Sequence, residues 1–334
     1  MKKTATIKDV AKELGISVST VSRVMNGLDR VSPAMRRKVL DTARRLNYVP
    51  SLAAVSVVKK QTKLLAALLP DLTTPLYASI LDAFEEAARI RGYHTLTVLS
   101  RGSHEEEMRF LGGMVGRSVD GLAIIPASPV FSDYTASSKP VVFIDRLGNE
   151  DGVDSVVVDN FRGAYLAAEH LISRGHTKIA IIASEREFSS GHDRVLGFEQ
   201  ALRNKNVRIR PQYVCVGSGT EKDGYAGAFR LMNLEDPPTA IFATTEQLCR
   251  AAAAAIYDLK LRLGKDVSLV GFGDSDFART YSPAITVVAR AAGDMGKIGA
   301  NMLIEKITSL SPPVGQQVSL PVRLIIRESV RPLG

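Results

Sequence analysis

The sequence predicts a small all-α domain followed by an α/β core of two similar lobes, each a parallel sheet flanked by helices. Apolar residues recur at helical spacing through the first fifty positions. After Lys63, unbroken Val, Ile and Leu runs of strand length alternate with helical stretches, as in sheets that are covered on both faces. The charge is also unevenly distributed. Residues 1–63 hold 14 Lys and Arg against 4 Asp and Glu, whereas residues 64–334 have a net charge of −2.

Composition narrows the class of protein. The 334 residues suffice for two or three units with real cores, since 45% of them are hydrophobic. No apolar run reaches the ~18 residues of a membrane span, and no apolar signal-peptide segment follows the basic start, so we expect a cytoplasmic protein. Cys215 and Cys249 are too few for a disulfide framework or a zinc cluster. A basic module on a near-neutral body is typical of nucleic-acid binders.

The basic module opens with two short helices joined by a tight turn. Thr6 and Asp9 can cap the first helix, and Gly15 suits the left-handed turn that ends it. Ser17 can cap the second helix. The apolar faces of the two helices are formed by Ile7, Val10, Ala11 and Leu14, and by Val21, Val24 and Met25. This pattern predicts a helix-turn-helix, whose second helix suits a DNA major groove.

The outer face of the second helix carries short donors and one forked cation. Hydroxyl and amide groups suit phosphates and base edges, and arginine can pair bidentately with guanine. The alternative is an ordinary helical hairpin with a solvated polar side. A third helix follows, capped by Ser32 with Pro33 in its first turn. The outer face consists of Ser17, Ser19, Thr20, Ser22, Arg23 and Asn26.

This opening resembles the LacI–GalR family of bacterial transcription repressors. The resemblance rests on residues 6–11 (TIKDVA) and 18–27 (VSTVSRVMNG), and it continues through Tyr48 and Pro50. It implies that Val18, Ser19 and Arg23 face base edges. It also implies that six residues lie near phosphates: Thr6, Ser17, Thr20, Ser22, Asn26 and Ser32.

The family's next segment is a hinge helix that presses an apolar side chain into the minor groove. Here it corresponds to residues 50–62, and the resemblance implies that Ala54 and Val57 contact DNA. Valines at 55, 57 and 58 are poor helix formers, and Val57 is shorter than the family's usual leucine. We therefore expect a hinge that is disordered without DNA, with a plain flexible linker as the alternative.

The core reads as two βα series, residues 64–160 and 161–290. The family has such a two-lobed core, like that of periplasmic sugar-binding proteins, with the ligand in the cleft. We predict a helix-turn-helix domain at 1–49, the hinge at 50–62 and the core at 63–334. The first lobe comprises about 63–160 and 291–321, and the second about 161–290 and 322–334. No leucine heptads follow, so we expect a homodimer.

Ligands of open parallel sheets bind beyond the carboxyl ends of the strands. That rule selects the residues after the apolar runs, such as 71–77, 145–146, 184–194, 244–247 and 273–276. The resemblance implies that Arg194, in an Arg-x-x-Gly-aromatic motif, grips the effector, and that the Asp145–Arg146 pair matches a family element. The predicted ligand-binding residues are Thr74, Tyr77, Asp145, Arg146, Arg194, Thr245, Gly273 and Asp274.

Two positions depart from the family pattern. Thr245-Glu246 stands where Asn-Asp is usual, and Gly273-Asp274 stands where Asp-Asp is usual. Asn and Asp there normally bind sugar hydroxyls, so an acidic or phosphorylated effector is a hypothesis for this chain. We expect a small-molecule effector that is a sugar, a sugar acid or a sugar phosphate. Induction and co-repression stay equally open.

No enzyme or cofactor is predicted. The cluster Ser189-Ser190-Gly191-His192-Asp193 holds triad residue types, but neighbours in sequence rarely assemble a triad. The five histidines show no metal-ligand spacing. The prediction is a non-enzymatic DNA-binding repressor without cofactor, metal or membrane partner. The alternatives are an α/β enzyme or a solute-binding core, either one fused to a DNA-binding module.

Overall fold

The structure is a computed structural model that describes residues 5–25, 31–48, 61–130, 132–135, 139–147, 153–184, 188–309 and 315–333. Its contacts divide the chain into two compact units, Met1–Lys63 and Leu64–Gly334. Each unit has its own buried apolar core. In the described parts of the chain, no helix is long and apolar enough to cross a membrane.

The first unit, the head, is a three-helix domain formed by α1 (Ile7–Leu14), α2 (Val18–Met25) and α3 (Pro33–Arg45). The predicted caps are present: Thr6 N donates to Asp9 Oδ2 at 2.8 Å, and Thr20 N donates to Ser17 Oγ at 3.2 Å. Gly15, at φ 63°, makes the left-handed turn between α1 and α2. The centre of the core is formed by Val10, Ala11, Val21, Val24, Val39 and Ala43.

The first lobe of the core is a six-stranded parallel sheet in the order β11-β5-β4-β3-β1-β2. Its strands are β1 (Leu64–Leu69), β2 (His94–Leu99), β3 (Gly121–Ile124), β4 (Val141–Ile144), β5 (Ser155–Val158) and β11 (Gln317–Leu320). Its helices are α4 (Pro75–Ile90), α5 (His104–Gly112), α6 (Met114–Ser118), α7 (Ser132–Thr135) and α13 (Ala292–Thr308). Helices α4 and α13 pack very closely, because a Cβ on Gly296 would lie 2.1 Å from the Ile80 carbonyl oxygen.

The second lobe repeats this arrangement with the order β12-β10-β9-β8-β6-β7. Its strands are β6 (Ile179–Ser184), β7 (Val214–Gly217), β8 (Ala240–Ala243), β9 (Ser268–Phe272), β10 (Thr286–Ala289) and β12 (Arg323–Ile325). Its helices are α8 (Asn160–Ser173), α9 (Ser189–Asn204), α10 (Glu221–Met232), α11 (Glu246–Asp258) and α12 (Asp276–Thr280), with a 3₁₀ turn at Pro211–Tyr213. Strand β12 is antiparallel to β10, and the other pairs are parallel.

The structure differs from the sequence prediction at several elements. Strands β10 and β11 and helix α12 were not predicted, because runs of four or five residues give little periodicity. The apolar pattern of the sequence predicts a helix only over residues 195–204, whereas α9 begins at Ser189. The pattern misses its first turns because they face the cleft and carry polar residues. The sequence also predicts one helix over residues 105–115, but the extended backbone of Gly113 divides this stretch into α5 and α6.

The second lobe contains a fully buried histidine. His176 is fully buried, and its ring nitrogens bond to Thr239 Oγ1 (2.9 Å), the Arg331 carbonyl oxygen (3.1 Å) and Ser268 Oγ (3.1 Å). Burial lowers the pKa of His176, so the folded state favours the neutral ring. In the unfolded chain the ring takes up a proton once the pH falls below its ordinary pKa of about 6.5. In the folded chain protonation requires a lower pH.

We therefore expect the free energy of unfolding to fall as the pH drops below about 6.5, until the lowered folded pKa of His176 is passed. Urea unfolding of the full chain at pH 7.5 and pH 5.0 measures this loss. In His176→Gln the free energy of unfolding should differ less between pH 7.5 and pH 5.0 than it does in the wild type, although the variant is less stable at both. The matched control is His94→Asn, at an exposed position of edge strand β2, which should keep the wild-type difference. An undiminished difference in His176→Gln would contradict this assignment.

Candidate functional site

The exposed face of α2 forms a candidate nucleic-acid interface on the head. Ser17, Val18, Ser19 and Arg23 are exposed there, and Val18 keeps 40% of its surface in solvent despite being apolar. Ser17 Oγ lies 2.8 Å from both Ser19 Oγ and Thr20 Oγ1. These hydroxyls cluster at the amino end of α2, where free N–H groups and the helix dipole favour a phosphate.

Arg23 is the forked cation of this face. It forms no ion pair with any carboxylate in the described parts of the chain. By contrast, Arg45 of α3 is held by Glu13 of α1, with 2.9 Å between Nη2 and Oε1. Arg23 is therefore available for bidentate contact with a base edge, and an exposed valine nearby suits a thymine methyl group.

The remaining predicted DNA-binding residues fall into two groups. Thr6 and Ser32 are exposed at the starts of α1 and α3, and Thr20 and Ser22 are half-buried on α2. Three predicted residues lie outside the described residues: Asn26, Ala54 and Val57.

The second candidate site is a cleft between the two lobes. In each sheet the strand order reverses at one strand, β1 in the first lobe and β6 in the second. Ligands of such sheets bind beyond the carboxyl ends of the strands near this reversal. A cavity of about 250 Å³ lies there, lined by Asp71, Thr74, Leu76, Tyr77, Asp145, Arg146, Ser184, Phe188, Ser190, Gly191, Arg194, Ser218, Gly219, Thr245, Glu246, Gln247 and Arg290.

The first-lobe wall is organised around Arg146. Its guanidinium donates from Nη2 to Tyr77 Oη at 2.6 Å and from Nη1 to the Pro126 carbonyl oxygen at 3.2 Å. Burial raises the pKa of Tyr77, so its hydroxyl stays protonated. Asp145 precedes Arg146 with a left-handed backbone at φ 69°. Asp145 and Arg146 therefore present one anion and one cation at the end of β4.

The second-lobe wall contains a deeply buried cation. Arg194 on α9 is 4% exposed, and its Cζ lies 4.0 Å from the centroid of the Phe272 ring. It donates from Nε to Asn160 Oδ1 at 2.9 Å and from Nη1 to the Thr244 carbonyl oxygen at 2.8 Å. Burial, followed by the neighbouring Arg290, lowers the pKa of Arg194 to about 9. The group is still a cation at neutral pH.

Several contacts join the two walls. Arg290 Nη1, at the end of β10, lies 3.3 Å from Asp145 Oδ1, and both side chains are buried. Gln247 Nε2 donates to Thr74 Oγ1 at 3.2 Å. The Arg146 Cζ lies 5.0 Å from the ring centroid of Phe188. The two lobes therefore meet through polar side chains that a ligand in the cavity can rearrange.

Six predicted ligand-binding residues meet around this one cavity: Thr74, Tyr77, Asp145, Arg146, Arg194 and Thr245. The other two, Gly273 and Asp274, are not among the described residues that line it. Asp274 instead accepts from Arg327 Nη2 at 2.6 Å, so its carboxylate already has a partner. Gly273, at φ 119°, has no side chain to offer.

The prediction missed Arg290, Ser218 and Gly219. Arg290 directly follows the unpredicted strand β10, and Ser218 and Gly219 follow β7. The rule that ligands bind after strands would have selected Arg290 if the Thr-Val-Val-Ala run had been recognised as a strand. In the described parts of the chain, no group of three or more His, Cys, Asp or Glu side chains could hold a metal ion.

A helix-turn-helix head and a two-lobed core with a polar cleft define a class of ligand-responsive DNA-binding proteins. Residues 6–51 match the family described as bacterial regulatory proteins, lacI family, and residues 168–330 match a periplasmic-binding-protein-like domain. The HTH-type transcriptional repressor PurR of Haemophilus influenzae (strain PittEE) is 32% identical over 98% of this chain and 99% of that protein. Catabolite control protein A of Priestia megaterium is 29% identical over 98% of this chain and 99% of that protein.

Solved structures of transcriptional regulators also have a fold similar to that of this chain. The lac repressor dimer bound to operator and the anti-inducer ONPF superposes with a TM-score of 0.86, at 26% identity, over 98% of this chain and 100% of that chain. A complex of the transcriptional regulator CelR with cellobiose gives a TM-score of 0.75, at 29% identity, over 97% of this chain and 99% of that chain. The chain belongs to the LacI family and is a DNA-binding transcriptional regulator, not an enzyme.

Proposed function

We propose that the chain is a ligand-responsive repressor that binds a palindromic operator as a homodimer and controls carbohydrate or related catabolic genes. The proposal rests on Arg23 of α2, which is exposed beside Val18 and Ser19 and forms no ion pair within the described residues. A dimer would present two such helices, and its two-fold symmetry calls for two inverted half-sites. A regulator of this kind works in the cytoplasm, where its DNA lies.

The chain then divides into three working parts. Residues 1–49 are the DNA-binding domain, 50–62 form the hinge, and 63–334 form the core that binds the effector and the second subunit. We assign base contacts to Val18, Ser19 and Arg23. Phosphate or minor-groove contacts are assigned to Thr6, Ser17, Thr20, Ser22, Asn26, Ser32, Ala54 and Val57.

The cleft supports the ligand-responsive half of the proposal. Its walls come from two lobes that touch through side chains, so a ligand that prefers one angle between the lobes shifts the population toward that angle. Coupling between ligand and operator is expected at about 1–3 kcal/mol, the usual range for such linkage. The structure of lac repressor with an anti-inducer and the structure of CelR with cellobiose show that relatives carry small ligands.

The proposal is tested by selecting bound duplexes from a random pool with the purified full chain at moderate salt. The selection is repeated with a panel of sugars, sugar acids and sugar phosphates. We expect a palindromic consensus with half-sites about one helical turn apart, 10–10.5 bp between centres. One class of the panel should change the affinity for that consensus. An enzyme or a solute-binding core with a non-specific head would select no consensus, and that result would overturn the proposal.

A further inference from the structure

Two guanidinium groups lie against the same buried ring in the cleft. The Cζ of Arg194 is 4.0 Å from the centroid of Phe272, and the Cζ of Arg290 is 5.7 Å from it. Phe272 itself is fully buried at the end of β9. Both arginines also line the cavity of the cleft, so a ligand held there lies beside both cations.

Arg194 has no anionic partner in the described parts of the chain. Within the described residues its two hydrogen bonds go to the side-chain oxygen of Asn160 and the carbonyl oxygen of Thr244, both of them neutral. A guanidinium has five N–H donors, so most of its donors are left for a ligand. A buried cation without a counter-ion is unfavourable in a protein, and an anionic ligand removes that penalty.

Arg290 is only partly satisfied. Its contact with Asp145 measures 3.3 Å, longer than the 2.7–2.9 Å of a well-formed charged hydrogen bond. Its Nε is buried and has no hydrogen-bond partner among the residues that the structure describes. A Cβ at Gly273 would lie 3.4 Å from Arg290 Nη2 and 3.3 Å from Glu246 Oε2, yet no ion pair joins Arg290 to Glu246 within the described residues. Arg290 and Glu246 therefore pack directly against the backbone of Gly273, where a side chain would crowd both of them.

We propose that the effector carries an oxyanion, a carboxylate or a phosphoryl group, that bridges Arg194 and Arg290 and replaces Asp145 as the counter-ion of Arg290. This inference rests on the proposed function, since it names the chemical class of the effector. The effector's oxyanion contacts both guanidinium groups, whereas within the described residues Asp145 forms an ion pair with Arg290 alone.

The exchange also links ligand charge to the position of the lobes. Asp145 belongs to the first lobe and Arg290 to the second, so their ion pair joins the two walls of the cleft. An anion that takes Arg290 releases Asp145 and removes one contact between the lobes. An uncharged sugar cannot compete for Arg290 in this way, because a hydroxyl binds a guanidinium more weakly than a carboxylate does.

The inference is tested on the full chain with four probes: sodium sulfate, D-gluconate, D-glucose 6-phosphate and D-glucose. Thermal unfolding and titration calorimetry are run against sodium chloride at equal ionic strength. We expect at least one anion to bind more tightly than glucose. Arg290→Gln and Arg194→Gln should each weaken the binding of that anion at least tenfold. The matched control is Arg203→Gln on α9, where the arginine is 61% exposed and paired with Glu199, and it should bind as the wild type does.

The variant Asp145→Asn separates this inference from an ordinary sugar site. If Asp145 competes with the anion for Arg290, its neutralisation should tighten anion binding several-fold. If Asp145 instead accepts a bond from a ligand hydroxyl, the same change weakens binding. Comparing the affinity for gluconate with that for glucose 6-phosphate shows whether the site prefers a carboxylate or a phosphoryl group.

Three results would overturn the inference: binding of glucose alone, weaker anion binding in Asp145→Asn, or no anion exceeding chloride in both wild type and Asp145→Asn. None of them touches the proposed function, because duplex selection by the head is measured separately. If the chain selects an operator but responds only to uncharged sugars, the proposed function stands and the inference of an anionic effector is wrong.

Discussion

Replacing Arg23 with Ala is expected to weaken binding to the operator strongly while leaving the fold and the cleft unchanged. Arg23 is exposed on α2 and has no carboxylate partner within the described residues, so its removal leaves no group unpaired. Loss of one bidentate base contact weakens discrimination by about 1–3 kcal/mol. A homodimer loses two such contacts, about 2–6 kcal/mol, which is roughly 30-fold to 10⁴-fold in affinity at fixed salt. Titration of the selected duplex into wild type and variant measures the loss.

The conservative variant Arg23→Lys separates base reading from plain charge. Lysine keeps the positive charge and the attraction to phosphates, but it lacks the planar fork that pairs with guanine. Affinity for random duplexes and its dependence on salt should therefore resemble the wild type, whereas the preference for the operator should fall nearly as far as in Arg23→Ala. Operator binding at wild-type strength in either variant would show that α2 does not read the sequence.

The head could be predicted almost completely from the sequence, because its determinants are local. Thr6, Gly15, Ser17 and Ser32 act on backbone groups within a few residues, and the buried valines follow helical spacing. The strands of the core were also predictable where they are long and apolar, as in β1 and β6. In each case the information lies within one segment of the chain.

The cleft was predicted less well because its contacts join distant segments. Asp274 was expected to bind ligand, but its partner Arg327 lies 53 positions away and no local pattern reveals that pairing. Arg290 was missed because β10 has only four residues. Once the fold brings Arg290 to Asp145, 145 positions away, the charge balance of the cavity differs from the one the sequence suggested. The charges that face a ligand in the cavity depend on such pairings more than on any single motif.

Phe272→Ala is expected to cause a large loss of stability in the second lobe. The ring is fully buried, belongs to the core of the second lobe and lies beneath both guanidinium groups of the cleft. Truncation of a buried phenylalanine typically lowers the free energy of unfolding by about 3–5 kcal/mol. Urea unfolding of the full chain measures this change. Phe84→Ala, an equally buried ring in the first lobe, should lose a similar amount without altering anion binding.

A second variant, Phe272→Leu, separates the packing role of the ring from its electrostatic role. Leucine retains much of the apolar volume, so the expected loss of stability is smaller than for alanine. It lacks the aromatic face that attracts the two guanidinium groups, an interaction that contributes up to about 2 kcal/mol when desolvated. Anion binding should therefore weaken in Phe272→Leu by more than its stability loss alone explains. If sulfate and gluconate bind Phe272→Leu as tightly as they bind the wild type, the ring serves packing only, and the two arginines are positioned by their hydrogen bonds to Asn160, Thr244 and Asp145.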